Sequence, residues 1–440
     1  MQTRMRDDPV FAERRARVMQ QLGASAALVV AASPEIRVGA DAELKYVIDP
    51  DLYYLTGHTE PDAVAVLCPS HEAPFTLFVR PRDADRERWT GARGGVEAAT
   101  AVFGADAAHA SSELAGRLPA LLAGIDTVYA RLAYGRPDVD AAVLETIGRG
   151  RRERVRSGRG PHAVVDPGVV LDDMRLIKDA TEIARIRQAA DTSVEVFREA
   201  TGVIGDGAGE WQIEATIDGG FRVRGAAGPA FPTIVASGPN AGVLHHIAND
   251  RTMRTGELVL IDAGARQAMY CADMSRTFPV SGRYSPEQRA LYDVVLAAHD
   301  AAIAAVRPGA TIEDVHRAAL RVLATGLIDM RFLTGSVDEH IESGDGVRTF
   351  FPHKTSHWLG IDVHDVGTYV VDGNPRVLAA GMVLTIEPGL YVAGDATTGP
   401  EALRATGIRI EDDVLVTPGG HDVLTAALPA DAGGVEDLMR

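Results

Sequence analysis

An apolar run that stops on a carboxylate constrains a fold strongly, because a buried ionised acid needs a cation or a set of donors beside it. Residues 258–278, LVLIDAGARQAMYCADMSRTF, present this twice. Leu258 to Ile261 reads as a buried strand and Asp262 ends it. A second, mostly apolar stretch carries Asp273. Folded back on a tight turn around Gln267 and Ala268, the two strands set Asp262 directly opposite Asp273, on one face, with Cβ atoms about 5 Å apart. Two ionised carboxylates at that spacing repel. One of them protonates, the strands part, or a hard divalent cation sits between them. The alternative is that one aspartate caps a turn while the other is solvated, since Asp-Ala-Gly is a sound turn sequence.

Two further acids shift the balance. TIEPGLYV puts Glu387 at the end of another apolar run, and GIRIEDDVLVT puts Glu411 on a third. Between the pairs lies FFPHKTSHWLGIDVHDVG, with His353, His357 and His364 close together in a chain that has 13 histidines in 440 residues. Four strand-borne acids and one histidine make an oxygen-rich set with a single nitrogen. Such a set suits two manganese, cobalt or similar divalent ions better than a thiolate zinc site. Two ions about 3.5–4 Å apart, sharing carboxylates and a water, form a hydrolytic centre.

The length predicts two domains. The first, residues 1–172, alternates strands and helices as a small α/β domain does. It has a helix over 9–23 closed by Gly23, strands at ASAALVVAAS, AVAVLCP and FTLFVRP, and helical spacing in SELAGRLPALLAGI and PDVDAAVLETIGRGRRERV. The second, residues 173–440, opens on a long amphipathic helix through LDDMRLIKDATEIARIRQAADTSVEVFREA, capped by Asp179 or Thr181. A helix near EWQIEATIDGGFRVRG follows, then strand pairs with two helices near 286–306 and 311–326 between them. The fold class is α/β in the α+β sense.

Composition excludes some functions. A net charge of −17 argues against nucleic acid or an anionic membrane as partner, since both select a positive surface. The basic run RGRRERVRSGRG reads as a solvated helix end. Only Cys68 and Cys271 are present, so a disulfide framework is not expected and a reducing, cytoplasmic setting is. Cys271 reads as a small packed residue. The charged N-terminus lacks a signal-peptide apolar region, and no run approaches a membrane span.

In this order, IDAG, ADMSRTFPV, SHWLGIDVHDVG, TIEPGLY and GIRIEDD resemble the motifs of the pita-bread metallopeptidases, and within them bacterial Xaa-Pro aminopeptidase (aminopeptidase P). DLYYLTGHTEPDAVAVL resembles that family's N-terminal domain. The resemblance implies a pita-bread catalytic domain over 173–440 and two divalent ions, Mn2+ foremost with Co2+ or Zn2+ as alternatives. It implies Asp262, Asp273, His357, Glu387 and Glu411 as ligands, with Asp273 and Glu411 bridging and Glu387 also taking the proton of the bridging water. His245, His353 and His364 would line the substrate site and help polarise the scissile carbonyl. Arg409 would lie near the prolyl pocket, and Trp89 would reach a neighbouring subunit's site in a homodimer or homotetramer. The implied substrates are peptides with proline second. Two positions depart from the pattern: Phe231 stands where a tyrosine is usual, and Lys354 where small or apolar residues are commoner.

Prolidase, which takes only Xaa-Pro dipeptides, would use the same ligands. Methionine aminopeptidase fits less well, because its basic unit is only the second half of such a chain. Creatinase shares the fold without the metal acids. A catalytically inert pita-bread peptide-binding module is the non-enzyme alternative, disfavoured by retention of all five ligands and three site histidines.

Overall fold

The computed structural model describes residues 9–40, 42–343 and 345–440. The chain divides into two compact units, Met1–Asp173 and Met174–Arg440.

The first unit is built on a six-stranded sheet. Its order is Ala107–Ala110, Phe75–Val79, Val64–Leu67, Ala26–Ala31, Thr127–Ala130, Ala163–Val165. The middle strands pair antiparallel and the outer ones parallel. The apolar runs read from sequence form the centre of this sheet, and Val29, Val66 and Phe78 pack with Leu118, Val128 and Val143. Three strands of the sheet were not expected. AAHA and AVV are short and only half buried, so they carry no long apolar run, and TVYA is buried on one face alone.

The expected long helix is two: Gly168–Leu176 and, within the second unit, Ala180–Ala200. The chain breaks between them because Asp179 leaves helical geometry to cap the second, accepting from the Thr181 and Glu182 N–H groups. Helix Glu210–Val223 follows, then an antiparallel sheet of Ile234–Ser237, Leu258–Ala263 and Met274–Pro279. Helices Pro286–Ala305 and Ile312–Asp329 come next, capped by Ser285 and Thr311. Strands Val383–Ile386 with Asp412–Thr417, and Gly389–Val392 with Thr406–Arg409, complete the unit. Each half thus runs from two helices to acid-bearing strand pairs, which meet over one continuous apolar core.

The hairpin register differs from the expected one. The turn is at Ala268 and Met269, both with positive φ, as a two-residue hairpin loop requires. No Asn-Gly marks it in the sequence. Asp262 therefore pairs with Ser275, not Asp273. The slip is two residues, and a period of two returns every side chain to the same face. The two aspartates remain neighbours, one diagonal from the other.

Candidate metal centre

A cavity of about 840 Å³ opens in the second unit, and its floor holds Asp262, Asp273, His357, Glu387 and Glu411. The four acids are delivered at or beside strand ends. Asp262 is the fifth residue of Leu258–Ala263, and Asp273 directly precedes Met274–Pro279. Glu387 follows Val383–Ile386, with its N–H donating to the Thr355 carbonyl at 2.8 Å. Glu411 lies between Thr406–Arg409 and Asp412–Thr417. His357 is tied to the strand Val383–Ile386 through Thr385, whose N–H donates to its carbonyl and whose hydroxyl accepts from its N–H.

The side chains converge. His357 Nε2 is 3.3 Å from Asp273 Oδ2 and 3.7 Å from Glu387 Oε1. Donor atoms of Asp273, His357 and Glu411 all fall within 4.8 Å of one another. Asp262 Oδ1 and Asp273 Oδ1 are buried and have no hydrogen-bond partner among the described residues. Burial, then the charges of the neighbouring carboxylates, pushes Asp273 and Glu411 well above the usual carboxylate range. Burial also raises Glu387. Orphaned acid oxygens crowded against like charges are what a site for hard cations looks like without them. The donor set fits divalent metal.

The surrounding groups orient this set. His357 Nδ1 donates to the Trp358 carbonyl at 3.0 Å, which leaves Nε2 as the lone-pair nitrogen facing the acids. Arg409 is buried, and its guanidinium donates to three protein groups: Nη2 to Asp262 Oδ2 at 2.6 Å, Nη1 to Tyr391 Oη at 2.8 Å, Nε to Ser275 Oγ at 2.9 Å. The Ser275 hydroxyl donates onward to Glu411 Oε2 at 2.8 Å. The Asp273 N–H donates to Asp413 Oδ2 at 3.1 Å. Arg409 lines the cavity, but its guanidinium acts on Asp262 and Tyr391.

The three other expected histidines line the cavity as well. They are not equivalent. His353 Nδ1 donates to the Lys354 carbonyl and its Nε2 lies 2.8 Å from Tyr391 Oη, so both ring nitrogens are engaged. His245 and His364 make no hydrogen bond among the described residues, and the His364 ring lies over that of His357 with centroids 4.2 Å apart. Burial, then the Arg409 charge, lowers His353 to about 4. Burial lowers His364 too. Both rings are therefore neutral near pH 7, and a neighbouring cation drives their pKa values lower still. A nitrogen NMR titration of His353 in the metal-free protein is expected to find its midpoint near 4; a midpoint at the ordinary 6.5 would break this assignment.

Trp89 lies on the helix Ala84–Thr90 of the first unit, 84% exposed, and is not among the cavity-lining residues. Phe231 and Lys354 both line the cavity, the latter 3.7 Å from Glu313. Reading the sequence missed Tyr391, Ser275 and His316. His316 lines the cavity from helix Ile312–Asp329 and meets the Thr355 hydroxyl at 2.7 Å. A serine or tyrosine within a strand carries no signal that separates it from core. His246 is structural: its Nε2 is 3.1 Å from Glu210, whose carboxylate already accepts from Ser237, Asn240 and the Arg251 N–H. Cys271 is buried and free, as expected of a packed residue.

Residues 184–418 match the model of Metallopeptidase family M24, and residues 11–129 that of the aminopeptidase P N-terminal domain. The chain is 40% identical over 433 residues to the Xaa-Pro aminopeptidase of Escherichia coli, covering 98% of this chain and 97% of that one. It is 31% identical over 428 residues to human Xaa-Pro aminopeptidase 3, covering 95% and 82%. Among solved structures it is similar to an aminopeptidase of Pseudomonas aeruginosa, with TM-score 0.93, 41% identity and coverage of 98% and 97%. It is also similar to a variant of Escherichia coli aminopeptidase P in complex with substrate, with TM-score 0.93, 39% identity and 98% coverage of each.

Proposed function

The chain belongs to the M24 metallopeptidases and carries the aminopeptidase P N-terminal domain, and from this we infer that it removes the first residue of peptides whose second residue is proline, by metal-dependent hydrolysis. The observation that carries the reading is the convergence of four carboxylates and one imidazole on the floor of a single cavity, in a chain similar to such enzymes over almost its whole length.

In this reading Asp262, Asp273, His357, Glu387 and Glu411 would hold two divalent cations. The donor set is all oxygen but one, which favours Mn2+ over the thiolate-bound metals, with Co2+ and Zn2+ as alternatives. Two cations so held supply the Lewis acidity and the lowered water pKa that amide hydrolysis needs near pH 7. The chain's own residues do the rest. Glu387 accepts a proton from the attacking water and returns it to the prolyl nitrogen as that group leaves. His245 and His364, whose N–H groups are uncommitted, donate to the carbonyl oxygen as negative charge develops there. His353, with both nitrogens engaged, fixes Tyr391, and through it Arg409 and Asp262. The leaving nitrogen of an Xaa-Pro bond has no N–H, so a pocket that offers no acceptor there and fits the ring selects proline.

The cavity volume supports chains beyond the dipeptide. About 150 Å³ encloses a benzene ring, and this cavity is several times that. The exposed Trp89 supports assembly into a homodimer or homotetramer. The two free cysteines suit a reducing, cytoplasmic setting, and no helix of the described residues is long and apolar enough to cross a membrane.

With Mn2+ present, an Xaa-Pro-Yaa tripeptide and a longer Xaa-Pro peptide are expected to lose their first residue, and Asp273→Asn is expected to abolish both reactions. Cleavage of the Xaa-Pro dipeptide alone would make the enzyme a prolidase. No cleavage of any of the three would return the chain to the binding-module reading.

A further inference from the structure

His364 sits on a loop that begins at a metal-site histidine, and the structure shows what closes that loop. Trp358, next to His357, offers one carbonyl to two donors: the His357 ring at 3.0 Å and the Asp365 N–H at 2.9 Å. The Asp365 side chain points away from its neighbour His364. Oδ1 accepts from Arg175 Nη2 at 2.6 Å and Oδ2 from Lys178 Nζ at 3.0 Å, with every one of these side chains about 1% exposed. Arg175 Nη2 also meets Asp362 Oδ2 at 2.9 Å, so the cluster grips the loop twice. The cations come from the end of helix Gly168–Leu176 and the break that follows it. Gly360 completes the fit. A Cβ there would stand 2.1 Å from Asp365 Oδ2 and 3.0 Å from Lys178 Cε, in the space where carboxylate and ammonium meet.

We propose that the buried Asp365–Lys178–Arg175 cluster is a positioning device for His364: it closes the loop 358–365 and sets the His364 ring over His357, at the reacting carbonyl. The three residues touch no substrate and act only through that ring. A buried ion pair is expensive and gives little net stability compared with apolar packing, so its use here is placement. The proposal rests on the peptidase reading and on His364 acting in it.

The test is a set of double-mutant cycles on an Xaa-Pro-Yaa tripeptide with Mn2+, with metal content and thermal unfolding measured on each protein. Gly360→Ala wedges the cluster apart without removing a charge. Lys178→Met removes one cation and leaves Asp365 paired with Arg175, and it carries the test should Gly360→Ala fail to fold. Each is expected to lower kcat roughly 10–100-fold, the usual cost of a misplacement of about 1 Å, with KM and metal content held. Combined with His364→Ala, each should cost less than about twofold more, because the ring it positions is already gone. The proposal is overturned if a folded variant keeps wild-type kcat, or if it loses the same factor in the His364→Ala background, which marks a purely structural role. A wild-type protein inactive on the tripeptide defeats the peptidase reading itself. A fully active His364→Ala defeats only the role of that ring.

Discussion

Glu387→Gln should lower kcat on an Xaa-Pro-Yaa peptide by roughly 10²–10⁴-fold, the range of a general base, or about 3–5 kcal/mol of barrier. The substitution keeps the shape of the side chain and removes the proton acceptor. The backbone beneath it is tied on both sides: the Glu387 N–H donates to Thr355, and Pro388 follows directly. KM should change little, since the residue lies on the cavity floor with the other acids. The complication is that the same carboxylate belongs to the proposed ligand set, so lost metal and lost base would look alike at low Mn2+. Activity is therefore compared at saturating Mn2+ with bound metal counted. A variant with full metal and kcat within tenfold of wild type would remove Glu387 as the base. A variant restored by extra metal would make it a ligand alone.

What was legible in the sequence follows from what periodicity records. Acids that interrupt apolar runs stand out, so Asp262, Asp273, Glu387 and Glu411 were visible as a set before any coordinates. The face they share was visible too, because alternation fixes faces. The register was not, since the Ala268–Met269 turn carries none of the residues that mark a hairpin. Strands such as AVV are too short and too half-buried to rise above their loops. The support around the site is hidden for a different reason. Ser275, Tyr391 and Arg276 occupy strand positions where alternation predicts either core or solvent, yet Ser275 and Arg276 are fully buried and Tyr391 nearly so, and all three are polar. Only tertiary neighbours reveal that their polar atoms meet Glu411, Arg409 and Asp412. A sequence shows that a charge is out of place in a strand; it does not show which partner waits across the sheet.

Arg276 supplies the largest expected effect on stability. It is wholly buried and reaches five acceptors: the carbonyls of Ser275, Glu411, Leu428 and Pro429, and Asp412 Oδ1 at 2.8 Å. It thereby ties the Met274–Pro279 strand to Glu411 and the start of the Asp412–Thr417 strand, and to the segment near the C-terminus. Arg276→Met fills similar volume but leaves Asp412 buried without its main cation, a loss of about 3–5 kcal/mol, or roughly 10 °C in Tm for a domain of this size. His299 Nε2, 2.9 Å from Asp412 Oδ2, and the Thr425 hydroxyl remain, but the hydroxyl is neutral and the His299 charge, favoured by Asp412 and Asp300, comes and goes with pH. The pH dependence identifies the cause. Burial opposes ionisation of Asp412, yet the Arg276 charge and the hydrogen bonds from His299 and Thr425 outweigh it and hold the carboxyl well below its usual range. A depressed carboxyl contributes stability above its unfolded pKa of about 3.9, and that contribution is lost as pH falls through the folded value. The gap in unfolding free energy between wild type and Arg276→Met should thus shrink as pH falls, because protonation relieves the carboxylate that the variant leaves buried without its cation while the wild-type carboxyl stays ionised to lower pH. Adding Asp412→Asn to the variant should recover part of the loss, because the stranded charge is gone. A gap independent of pH, or no recovery in the double variant, would place the effect in packing rather than in the ion pair.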